Sequence, residues 1–120
     1  MSREHKHQKA LIQYFKLAYP RYEKLLFSIP NGGSRDVREA VKLKAEGVTS
    51  GVPDLMLAVP TLVYPGLFIE MKSPAELGKP PGRLSKNQID MISRLKEQGY
   101  RVEVCFGSLE AIEALDRYLA

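Results

Sequence analysis

Two short apolar runs, Asp54–Val59 (DLMLAV) and Leu67–Lys72 (LFIEMK), flank the segment PTLVYPG, whose two prolines and glycine mark a turn. Runs of this length joined through such a turn read as a β-hairpin rather than as helices. A helical segment opened by Ser85 and closed by Gly99 then leads into a further strand-like run, Arg101–Phe106 (RVEVCF). A hairpin followed by a helical crossover to another strand predicts a mixed sheet flanked by helices. The flanking segments fill in the rest. Arg3–Ala18 carries Leu11, Ile12, Phe15 and Ala18 at helical spacing and is stopped by Pro20. Leu25–Pro30 reads as a short strand. Ser34–Glu46 reads as a helix with Val37, Val41 and Ala45 on one stripe, and Ser108–Leu119 as a closing helix. The expected order is α-β-α-β-β-α-β-α, an α/β fold. The 120 residues suit one domain spanning 1–120, and a 44% hydrophobic fraction can supply one core.

The run LFIEMK places charge where a buried strand needs none. Side chains alternate along a strand, so Glu70 and Lys72 share one face while Leu67, Ile69 and Met71 take the other. With the hairpin turn centred near Val63, Asp54 lies opposite Lys72 and diagonal to Glu70, about 7–8 Å away at the backbone. Asp54, Glu70 and Lys72 then share a face, and Leu55, Leu57 and Val59 turn into the core with Ile69. Two carboxylates across such a gap can share a divalent ion. Magnesium takes hard oxygen ligands and keeps several waters, and a lysine beside it can orient or deprotonate one of them. That chemistry suits metal-assisted hydrolysis of a phosphodiester. Acids and lysines at strand ends are mostly solvated, so spacing alone leaves a plain polar strand end open as well.

A formal net charge of +4 permits a nucleic-acid partner, and a solvated basic surface equally. Cys105 is the single cysteine, which rules out an internal disulfide and suits a reducing, cytoplasmic setting. Within VEVCF it reads as a buried structural thiol. The charged start MSREHKHQK is no signal peptide, and no run is long enough to span a membrane. His5 and His7 lack a cysteine pair and read as solvated residues outside any site. Nothing resembles a glycine-rich nucleotide loop or a nucleophile elbow.

GVPDLML followed by GLFIEMKSP resembles the signature of the PD-(D/E)XK nucleases, here Pro53-Asp54 and then Glu70-Met71-Lys72. The string GRLSKNQIDMISRLKEQGYRVEVCF resembles the VRR-NUC branch of that superfamily, the virus-type replication and repair nucleases, which pairs G-V-P-D with E-V-K and an R-L-S-x-x-Q helix start. Met71 stands where that branch has valine. REHKHQKALIQYF resembles the branch's first helix, and the likeness runs from about residue 3 to 107. It implies a restriction-endonuclease-like fold and a Mg²⁺- or Mn²⁺-dependent DNA endonuclease that leaves a 5′-phosphate and a 3′-hydroxyl. Asp54, Glu70 and the backbone carbonyl of Met71 would be metal ligands, with Glu4 a further carboxylate. Lys72 would position the attacking water, and Gln88 would sit beside the site. Glu4 also reads as a first-turn acid complementing the helix dipole, and Ser85-x-x-Gln88 also reads as a capping box.

Two loops complete the reading. Asn31, Gly32 and Gly33 allow a turn and close approach of a ligand, with Arg35 and Arg38 at the helix start behind them. Lys79, Arg83 and Lys86 cluster in the loop before the third helix. Both loops read as ordinary solvated segments or, in a nuclease, as contacts to the DNA backbone. Small single-domain members of this branch act on branched DNA, including four-way junctions, which implies a homodimer, since resolving a junction takes two symmetric cuts. Leu62, Val63 and Tyr64 with the first helix are candidates for its surface. The alternative is a DNA-binding module that keeps the fold without catalysis.

Overall fold

The computed structural model describes residues 2–30 and 36–120. Its elements are α1 (Arg3–Ala18), β1 (Leu26–Ser28), α2 (Val37–Ala45), β2 (Leu55–Leu57), β3 (Leu67–Lys72), α3 (Lys86–Glu97), β4 (Arg101–Phe106) and α4 (Ser108–Leu119). A 3-10 helix over Pro20–Leu25, with proline at its first position, joins α1 to β1. The strands form one mixed sheet in the order β1-β2-β3-β4, antiparallel except for the parallel β3–β4 pair that α3 connects. This is the α/β fold with a mixed sheet flanked by helices that the sequence predicts.

Alternation along the strands builds a core on each face of the sheet. Leu55, Leu57, Leu67, Ile69, Met71 and Cys105 face α1 and α4, where Leu11, Phe15, Ala111, Ala114 and Leu115 complete the larger core. Phe68 and Val102 face α3, packing with Ile92, Leu95 and Tyr100. Burial pushes the Cys105 thiol up to about 12, so it is an inert core residue. The tie between α1 and α4 is polar as well as apolar. Asp116 accepts from the Tyr19 hydroxyl at 2.6 Å and from the Tyr14 hydroxyl at 2.9 Å. Phe15 is 1% exposed at the centre of the larger core. Phe15→Ala is expected to cost about 3–5 kcal/mol in denaturant unfolding, as a large buried aromatic does. A cost below about 1 kcal/mol would mean that α1 is not docked as described.

Within the fold, the structure departs from the sequence reading at the hairpin. The hairpin pairs Leu55 with Ile69 and Leu57 with Leu67, so its register centres on Leu62 rather than Val63. Pro60 and Pro65 have no N–H to extend the ladder, and the Thr61 hydroxyl closes the turn by accepting from the Val63 and Tyr64 amides. A one-residue shift of the centre moves each partner by two positions and keeps every side chain on its face. Continued by one step, the register sets Asp54 opposite Glu70, not opposite Lys72. α2 forms within the expected helical stretch. Asp36 caps it, accepting from the Arg38 amide at 2.9 Å. Its Val37–Val41 stripe faces solvent rather than a core, at 76% and 63% exposure.

Candidate active site

The sheet brings Asp54, Glu70 and Lys72 to one end. Asp54 ends the GVPD segment immediately before β2. The residue after β1 fixes its backbone through the Ile29 amide, which donates to the Asp54 carbonyl at 2.7 Å. Its Oδ2 accepts from the Met71 amide at 2.7 Å. Glu70 and Lys72 point from β3 to the α3 face, and both are buried although both are ionisable. Lys72 Nζ lies 3.8 Å from Glu70 Oε2. Beyond Lys72 the chain doubles back, and the Gly82 amide donates to the Ser73 carbonyl. A Cβ at Gly82 would stand 3.3 Å from Lys72 Cδ, so this loop covers the lysine stem.

Gln88 makes the capping box and also reaches Glu70. Its Oε1 accepts from the Ser85 amide at 2.9 Å while its own amide donates to Ser85 Oγ, a complete capping box. Its Nε2 donates to Glu70 Oε2 at 3.3 Å. The cap therefore aims the amide at the carboxylate. Glu70 Oε2 is engaged by Gln88 and Lys72, but Oε1 is buried with no hydrogen-bond partner among the described residues. Burial first, and the adjacent Asp54 carboxylate second, push Glu70 up to about 8, with Lys72 opposing and Glu4 adding to the rise.

An orphaned, buried carboxylate oxygen beside a second carboxylate fits a divalent cation. Among the described residues no three His, Cys, Asp or Glu side chains converge as a metal site. Asp54 and Glu70 would therefore be completed by the Met71 carbonyl and water, the sparse protein coordination that suits Mg²⁺. Glu4 approaches from the first turn of α1 and shares with Asp54 the lining of a cleft of about 380 Å³, together with His5, Gln8, Ser28, Ile29 and Pro30.

A family model of the VRR-NUC domain matches residues 2–109. The chain belongs to the VRR-NUC family. A solved structure described as a VRR_NUC domain protein superposes with a TM-score of 0.83 at 24% identity, covering 99% of this chain and 89% of the other, and so shares the fold. No curated protein matches the chain. The VRR-NUC domain is a nuclease-type domain, and the site above lies wholly within the matched residues.

Of the proposed DNA contacts, Arg38, Lys79, Arg83 and Lys86 are exposed. Lys79 pairs through its backbone with Glu76, and Lys86 opens α3 two residues before Gln88. Asn31, Gly32, Gly33 and Arg35 lie outside the described residues. The sequence reading of His7 as a solvated residue is corrected. His5 is exposed, but His7 is half-buried and hydrogen-bonded to Ser108, 101 residues away. The helical spacing of His7 with Leu11, one turn on at the core, was the available signal.

Proposed function

We propose that this VRR-NUC domain is a Mg²⁺- or Mn²⁺-dependent DNA endonuclease, and that Asp54, Glu70 and the Met71 carbonyl hold the cation. The observation that carries this is Glu70 Oε1, a buried acceptor with no partner, set beside Asp54. A bound divalent cation would polarise a phosphate and acidify water. This chain's own groups do the rest. Lys72, confined by β3 and the covering loop, presents its ammonium beside Glu70 to orient the attacking water in line with the scissile bond. Gln88 holds Glu70 in place through Oε2, leaving Oε1 free. Glu4 adds a further negative group at the edge. A module that only bound DNA has no use for two adjacent acids facing a polyanion.

Arg38, Lys79, Arg83 and Lys86 would contact backbone phosphates, which position DNA without reading sequence. We extend the reading to branched DNA cut by a homodimer. Its support is the exposed apolar surface of Leu62 and Val63, 107% and 76% exposed, with Leu17 of α1 at 86%. No helix among the described residues is long and apolar enough to cross a membrane.

The test is cleavage of linear, flap, splayed and four-way DNA with Mg²⁺ and with chelator, on a sample sized by light scattering. The expected result is metal-dependent cutting that favours branched substrates, by a dimer. Binding without cutting in any metal would return the chain to a DNA-binding role. Equal cutting of linear and four-way DNA, or a monomer, would remove the branched-substrate and paired-cut readings alone.

A further inference from the structure

α4 begins after Gly107, a residue with no side chain to cap it. The missing acceptor comes from α1. The Ser108 amide donates to His7 Nδ1 at 3.0 Å, and Ser108 Oγ lies 3.3 Å from the same nitrogen. A ring nitrogen that accepts from an amide carries no proton, so the ring is neutral with its hydrogen on Nε2. The neighbouring Gly107 amide donates to the Lys72 carbonyl at 3.0 Å. A continuous path thus runs from α1 through the start of α4 to the catalytic end of β3. Arg3 holds the other side, donating to the carbonyls of Pro74 at 3.3 Å and Pro80 at 3.2 Å in the loop that covers Lys72. Glu4 sits between these two anchors, one turn before His7.

We propose that neutral His7 is a positioning residue: by capping α4 from α1 it fixes the first turn of α1 against the end of β3 and holds Glu4 in range of Asp54 and Glu70. The effect on cleavage rests on the nuclease reading, whereas the cap itself does not. Three substitutions separate the roles. His7→Leu removes the acceptor. Ser108→Pro removes the donor at the first helical position, where proline is otherwise favoured. His7→Asn places an amide oxygen close to the position of Nδ1.

Ring ¹⁵N–¹H correlation spectra of the wild-type protein without metal or DNA should show the Nε2–H tautomer. A ring protonated on Nδ1 overturns the proposal whatever the activity. In Mg²⁺, His7→Leu and Ser108→Pro should each slow cleavage about tenfold, in keeping with the cost of misplaced groups, and His7→Asn should stay within about twofold of wild type. In a Glu4→Gln background, His7→Leu and Ser108→Pro should each add less than about twofold, because partners in one pathway are not additive. The same tenfold loss in that background overturns the role through Glu4 and leaves His7 a plain stabilising cap. Should His7→Leu fail to fold, Ser108→Pro carries the same comparison. A wild-type protein inert with every metal refutes the nuclease reading, and the ring tautomer still decides the cap.

Discussion

Glu70→Gln is expected to abolish metal-dependent cleavage while making the metal-free protein more stable at alkaline pH. Both effects come from one buried carboxylate. Its burial and the adjacent Asp54 push it up to about 8 from the ordinary carboxyl value of 4.5. Between those values the unfolded chain has released this proton and the folded chain keeps it, so this group's contribution to stability falls as pH rises through the window. Above about pH 8 the folded state carries the full cost of a second buried charge. A neutral amide removes that cost. Its oxygen can accept from Gln88 and Lys72, and its NH₂ can donate to Asp54. In chelator the variant should melt higher than wild type at pH 9, by about 5 °C, the scale of 1 kcal/mol in a domain this size. The two should converge near pH 4.5. Mg²⁺ should raise the wild-type melting temperature by mass action and leave the variant unmoved. Cleavage by the variant should fall at least about 10²–10³-fold, the scale on which removing one electrostatic contributor acts, with DNA binding retained. Equal melting at pH 9 would show that Glu70 is not held uncharged by its surroundings. Persistent cleavage would remove it from the site.

Which parts of this were legible in the sequence follows from the range of the interactions involved. α1, β3, β4 and α4 have the expected boundaries because each carries its own periodicity between clear stops. The shared face of Asp54, Glu70 and Lys72 also survived, since parity does not change when a hairpin slips by two. The partner did change, because proline placement and the Thr61 turn set the register and neither shows in hydrophobic pattern. The Pro20–Leu25 3-10 helix buries none of its residues and so left no apolar signature. The stripe on α2 is real in sequence, but local pattern does not say whether a face meets a core. Gln88 could not be assigned to cap or site from spacing, because the fold turns one end of its amide to Ser85 and the other to Glu70. His7 was misread for a related reason. Its spacing from Leu11 signals the half-buried face, but its partner Ser108 is 101 residues away, and a hydrogen bond of that range is not written in local pattern.

Gly51→Ala is expected to damage the site more than alanine at any other glycine among the described residues. Gly51 has φ 91°, and a Cβ there would stand 2.3 Å from the Asn87 carbonyl oxygen and 3.0 Å from the Gln88 nitrogen. These are backbone atoms of the first turn of α3, and they cannot rotate aside. The segment is also pinned there by the Asn87 side chain, whose Nδ2 donates to Ser50 Oγ at 2.9 Å. An added methyl must therefore push the start of α3 away from the GVPD segment. Gln88 travels with α3 and Asp54 with GVPD, so the displacement opens the gap across which Gln88 steadies Glu70. Gly47 supplies the control. It has a similar φ of 105° with nothing within 4 Å of its would-be Cβ, so Gly47→Ala carries the backbone strain without the collision. That strain is about 1–2 kcal/mol for a left-handed L-residue. Gly47→Ala should lower stability by about this amount and leave cleavage unchanged. Gly51→Ala should cost more, and at a temperature where it remains folded it should cleave at least about tenfold more slowly, since a misplacement of about 1 Å suffices for a loss of that order. Equal stability and equal turnover in the two alanine variants would show that the approach of GVPD to α3 is not what holds Gln88 at Glu70.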